Sequence, residues 1–206
     1  LTNLPSENLT IELKGTNSLR SDVDVAFMVR DLNVTFTGSG TLNVKGVNSL
    51  GNTYYDGELE QDLPYEFPAF MAENSTVTFR DSVKVNVEIA GEARQPLWDE
   101  NGFMGTRPAH LMAINAESSE IIVTGKAILK TILPHGARQN GDFLPEGHED
   151  IYWNDDRPGG YTGIGNFEKL LVSGGTLDTQ NLYLDAWFDE NGNHIGDSSF
   201  VQTGGI

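Results

Sequence analysis

Aromatic rings and carboxylates come together in three stretches of this chain. Tyr54 and Tyr55 lead into Asp56, Glu58, Glu60, Asp62 and Glu66, with no Lys or Arg among residues 47–67. Trp98 stands beside Asp99-Glu100-Asn101-Gly102. Tyr152 and Trp153 follow His148-Glu149-Asp150 within a long polar segment that also holds His135, Arg138 and Asp142. Aromatic faces stack on sugar rings or fill a partner's apolar pocket, and carboxylates accept hydroxyl protons or bind calcium. Tyr54, Tyr55, Trp98, Tyr152 and Trp153 are therefore the candidate ligand-binding residues, and Trp98 and Trp153 are expected to keep exposed rings.

Metal and catalytic chemistry find less support. Asp189, Asn191, Asn193 and Asp197 imitate positions one, three, five and nine of a calcium loop. His194 replaces the glycine of the sharp bend, however, and Phe200 stands where the bidentate Glu belongs. The phrase Trp187-Phe188-Asp189-Glu190-Asn191-Gly192 also repeats the one at Trp98, and Asn-Gly suits a type I′ turn. A hairpin is expected at both places, favoured over a calcium site at the second, and no other cofactor is expected. His148-Glu149-Asp150 lacks the His-x-x-x-His spacing of a helical metal pair, and three consecutive side chains on an extended loop point apart. There is no Gly-x-Ser-x-Gly elbow, phosphate loop or dinucleotide fingerprint, and no catalytic residue is assigned.

What positions these residues is a repeat. Residues 24–46 recur at 67–89 without a gap: Ala69 falls on Ala26, Phe70 on Phe27, Val77 on Val34, Phe79 on Phe36, Val85 on Leu42 and Val87 on Val44. Weaker copies place Ile121 and Val123, then Leu170 and Val172, in the positions of Val34 and Phe36. The Phe36-like residues Phe36, Phe79, Val123 and Val172 are spaced by 43, 44 and 49. Within a unit the apolar residues alternate and glycines break the runs, which is the signature of short strands joined by tight bends. Stacked units of this kind bury a continuous core. The predicted fold is all-β, a single-stranded parallel β-helix (β-solenoid) with long lateral loop insertions. Aligning Lys14-Gly15 on Thr37-Gly38 gives a bare coil of 23 residues. The inserts are then residues 47–67, 91–107 and 134–160, each after the last strand of its unit, so they should emerge on one side.

Composition narrows the partners. Thirty acids against 13 Lys and Arg leave a net charge of −17, a surface that repels nucleic acid and anionic membrane. Cysteine is absent, which excludes disulfides, zinc-thiolate sites and cysteine catalysis. No run approaches the length of a membrane helix. The strand basics Lys45, Arg80, Lys84, Lys126 and Lys130 show no cluster in sequence. The chain opens in strand register and closes on FVQTGGI, which looks like another coil beginning, so residues 1–206 are read as one domain from a longer solenoid.

The phrases VAFMVRDLNVTFTGSGTLNVKG, AHLMAINAESSEIIVTGKAILKT and YTGIGNFEKLLVSGGTLDTQNLYL resemble coils of bacterial surface β-helices, above all the passenger regions of autotransporter adhesins. Similar units occur in secreted carbohydrate-binding β-helices related to pectate-lyase folds. The resemblance covers about half the chain and implies export and display at a bacterial cell surface. The family has no fixed catalytic motif to carry over, and the long aromatic inserts depart from plain stalk coils. The leading expectation is an adhesin segment that binds a host or matrix glycan or protein. A polysaccharide lyase or hydrolase on a β-helix scaffold, and a passive spacer in a surface fibre, are the alternatives.

Overall fold

The computed structural model describes residues 8–48, 53–56, 61–64, 67–91, 94–99, 102–108, 111–134, 161–184, 186–188 and 194–205. All regular elements among them are strands. Three parallel sheets hold most of these. Sheet I stacks Asn8–Leu13, Asn33–Gly38, Thr76–Phe79, Glu120–Thr124, Lys169–Ser173 and Ser199–Gly204 in chain order. Sheet II stacks Thr16–Ser21, Thr41–Asn48, Lys84–Gly91, Ile128–Ile132 and Thr176–Asp178. Sheet III stacks Phe27–Arg30, Phe70–Glu73, Leu111–Asn115 and Tyr161–Gly165. Each circuit of the chain runs from III to I to II, an order compatible with the β-helix expected from the repeat.

The repeat sets the register. Phe36 pairs with Phe79, Phe79 with Val123 and Val123 with Val172, the residues matched by sequence alone. Alternation turns every second residue inward, so equivalent residues form columns: Val34, Val77, Ile121 and Leu170 in sheet I; Leu42, Val85 and Leu129 in sheet II; all are buried. Between sheets I and III the core is aromatic. Phe36 stacks on Phe79 with centroids 5.2 Å apart, Phe27 lies 5.2 Å from Phe70, and Phe70 meets Phe79 edge-on at 6.5 Å. Offset and edge contacts of this kind add to the area that each ring removes from water.

Two corners of each circuit depend on left-handed backbone. Asp31, Asn74 and Asn166 take positive φ between sheets III and I, where short polar side chains tolerate that conformation. Gly38, Gly125 and Gly174 do so between I and II. At Gly38 the reason is double: φ is 100°, and a Cβ would stand 2.6 Å from the Leu13 carbonyl oxygen. Serines close the III–I corner. Ser75 Oγ accepts from Leu32 N–H and donates to the Glu73 carbonyl; Ser119 Oγ accepts from Ser75 N–H and donates to the Glu117 carbonyl. Both serines are buried, and each serves the backbone of the circuit before it.

One expectation is corrected. The bare first circuit is 25 residues, because Asn8 pairs with Asn33 and Thr16 with Thr41. Gly15 lies beneath Gly40 rather than Gly38: Thr41 N–H donates to the Gly15 carbonyl, and Gly40 N–H to that of Leu13. The slip of two residues left each side chain on its expected face, since strand faces alternate with period two.

Candidate functional site

Residues 49–69, 92–110 and 133–160 all intervene between a strand of sheet II and the next strand of sheet III. The three expected inserts thus leave the scaffold at the same junction. The first contains an antiparallel hairpin, Thr53–Asp56 with Gln61–Pro64, and the second another, Arg94–Asp99 with Gly102–Pro108. The strands Gln61–Pro64 and Arg94–Asp99 run next to each other, so neighbouring inserts do stand side by side.

Tyr54 and Tyr55 lie in the outer strand of the first hairpin, paired with Leu63 and Asp62. Trp98 lies in the second hairpin, opposite Phe103, at an irregularity between Leu97 and Trp98. Gly102 already belongs to the returning strand, facing Asp99, so it does not occupy the turn assigned to Asn101-Gly102. The rings of Tyr54, Tyr55 and Trp98, and the whole of Tyr152 and Trp153, lie outside the described residues. The structure brings the first two inserts together at backbone level.

The second Trp-Phe-Asp-Glu-Asn-Gly phrase is also a hairpin, with Trp187 paired with Gly196 and Ala186 with Asp197. Among the calcium candidates, Asp189, Asn191 and Asn193 lie outside the described residues. Asp197 is exposed, and its carboxylate lies 2.7 Å from His194 Nε2. This hairpin leaves the scaffold elsewhere. Leu182 bridges to Ile164 of sheet III before it, and Ser199–Gly204 joins sheet I after it. It therefore sits at the III–I corner. A single bridging residue was too little periodicity to show that from sequence.

The three inserts follow the ends of sheet II strands, and the outward side chains of that sheet interlock between circuits. Asn86 Nδ2 donates to Asn43 Oδ1 at 2.8 Å, Lys45 Nζ stands 2.5 Å from Glu88 Oε1, and Lys130 Nζ 2.6 Å from Asp178 Oδ2. The partners Lys45 and Glu88, and Lys130 and Asp178, are in register on adjacent strands. Arg20 binds Asp22, whose carboxyl is held below the usual carboxylate range by that hydrogen bond. The basics that looked scattered are partly gathered here: Lys45, Lys84 and Lys130 occupy three successive strands of one sheet. They are staggered along those strands, Lys84 opposite Thr41 and Ile128, Lys130 opposite Asn86, and Lys45 opposite Glu88.

Charge separates root from tip. Residues 49–69, 92–110, 133–160 and 185–198 hold eighteen acids against four Lys and Arg, whereas the rest of the chain holds twelve against nine. All three tryptophans fall in these segments. Chemically, these segments supply aromatic rings, hydrogen-bond acceptors and negative charge, while Lys45 and Lys130 of sheet II pair with Glu88 and Asp178. Among the described residues no group of three or more His, Asp or Glu side chains is placed to hold a metal ion. Comparison of the chain with protein-family models, with curated proteins and with solved structures returns no match.

Proposed function

We propose that the circuits are turns of a single-stranded parallel β-helix, and that this chain is a recognition segment of a bacterial surface protein. In this reading it belongs to an autotransporter-like adhesin displayed outside the cell. Its lateral inserts bind a host or matrix glycan or protein, with Tyr54, Tyr55, Trp98, Tyr152 and Trp153 as the contact residues. The observation that supports the reading is the placement of the first two inserts as adjacent hairpins on one junction of a repetitive scaffold. Rigid frames with long loops gathered at one place commonly divide the work between support and recognition.

The control for its test is supplied by the first circuit, which passes from sheet II to sheet III through residues 22–26 alone. Replacing 49–69, 92–110 and 133–160 with links of that length should leave the three parallel sheets intact and remove every proposed contact residue. Binding of the purified chain to glycan arrays and to host-cell or matrix proteins should be lost in the trimmed form. Equal binding by both forms, or none by either, would reject the proposal.

A further inference from the structure

The outward side of sheet I is rich in small polar side chains and balanced in charge. Its six strands present Asn8, Thr10 and Glu12; Asn33, Thr35 and Thr37; Thr76, Thr78 and, just past the strand, Arg80; Glu120, Ile122 and Thr124; Lys169, Leu171 and Ser173; Ser199, Val201 and Thr203. Two acids face two bases here, although the chain as a whole carries −17. The II–III junction, from which the three inserts leave, lies across the core from this side, and the strand that follows the III–I hairpin is its last strand. The side chains are short, so another flat sheet can approach to the usual separation of about 10 Å.

Its fourth and fifth strands, Glu120–Thr124 and Lys169–Ser173, are complementary under a twofold rotation. Glu120 and Lys169 are register partners, as are Ile122 and Leu171, and Thr124 and Ser173. An axis parallel to the strands and midway between the two would lay each strand of one copy over the other strand of its mate. Glu120 then faces Lys169 of the second copy, twice, around a centre made of two Ile122 and two Leu171 side chains. Thr78 falls opposite Val201 at the flanks. Among the described residues neither Glu120 nor Lys169 has an ion-pair partner within its own chain, although they stand on adjacent strands.

We infer that this face pairs two copies of the chain back to back. An acid and a base placed at one register position on adjacent strands are exchanged by the rotation, and that is the self-complementarity of an isologous interface. The rotation overlaps four strands of each copy, and four strands at about 4.8 Å and five residues at about 3.3 Å cover roughly 300 Å² per copy, or about 600 Å² in total. That is smaller than a stable specific interface, so the dimer is a weak, reversible one that forms at high protein concentration. Two highly acidic chains would approach through the side that has no net charge, with the II–III junction of each copy turned away from the other.

Sedimentation equilibrium of the purified 206-residue chain over a wide concentration range tests this, with circular dichroism of each variant to confirm the sheets. A monomer–dimer equilibrium is expected. Leu171→Lys should raise its Kd by at least about tenfold. Glu120→Lys and Lys169→Glu should each weaken pairing, and the double variant should return to within about threefold of the parent, since it restores both contacts with reversed sign. The swap also protects the test against a folding defect in Leu171→Lys. A chain monomeric throughout, a dimer indifferent to Leu171→Lys, or a double variant as weak as the singles would overturn the inference. So would a monomer in which Leu171→Lys reduces capture of another protein, since that assigns the face to a different partner.

Discussion

The scaffold and its inserts obey different constraints on sequence. In the sheets, a residue is fixed by the column it joins: Phe36 and Phe79 stack ring on ring, and Val34, Val77, Ile121 and Leu170 succeed one another at the same inward position. Charges on the sheets tend to meet opposite charges one circuit away, as Lys45 meets Glu88. The inserts hold eighteen of the thirty acids and only four of the thirteen Lys and Arg, together with every tryptophan. Residues of the sheets recur at the spacing of the circuits, whereas those of the three II–III inserts do not follow that spacing. This contrast argues that something other than folding selected the insert sequences.

The largest effect should come from cutting into the columns. Phe79 touches Phe36 and Phe70 and is fully buried, so Phe79→Ala removes an aromatic layer and leaves a cavity. A loss of about 3–5 kcal/mol is expected, read from chemical denaturation. Excising 92–110 in favour of a link like 22–26 should change stability by about 1 kcal/mol or less, because loop closure costs grow slowly with length. Comparable losses from the two changes would break the distinction, for the second insert would then be part of the fold.

Most of the scaffold was legible because its signal repeats. Matched residues 43 and 44 apart became register partners, and the shared insertion point followed from the arithmetic. The first circuit was misaligned because glycine marks both Gly15 and Gly38, and both have positive φ, while the hydrogen bonds set Gly15 beneath Gly40. What sequence did not show was whatever depends on sheets meeting across the inserts. The grouping of Lys45, Lys84 and Lys130 on sheet II is one case, and the corner at which the Trp187 hairpin emerges is another. Of the proposed contact residues, sequence located the stretches and their shared junction. The choice among individual rings rests on chemistry, since aromatic side chains in unrepeated segments follow no period.

A middle-sized effect should mark the corner serines. Ser119→Ala removes the acceptor of Ser75 N–H, a bond of 3.0 Å at a site where Ser75 and Ser119 are both buried. The stranded donor should cost about 1–3 kcal/mol. Thermal denaturation of Ser119→Ala and of Leu171→Ala, an outward position on the same sheet, gives the comparison. A smaller loss for the serine would mean that the corner is held by its backbone bonds alone.

The smallest effect lies in the charges that brace the corners. Asp81 takes positive φ at the I–II corner, and the Thr37 hydroxyl donates to its carboxylate, as does Gly38 N–H at 3.4 Å. Those hydrogen bonds, with Arg80 nearby, hold its carboxyl below the usual range. A depressed folded pKa means that the ionised form is the stabilising one. Its contribution is complete above the unfolded value and is lost as pH falls below about 4 and through the lower folded value. The side chain is half exposed, so solvent screening keeps the effect small. Asp81→Asn keeps an acceptor and tolerates the same φ, which isolates the charge. The variant should melt below the parent at neutral pH, and the two curves should converge as acid protonates Asp81. A gap that stays constant from neutral to acid pH would trace the difference to the shape of the corner instead of its charge, and would remove electrostatics from the account of how successive circuits are locked.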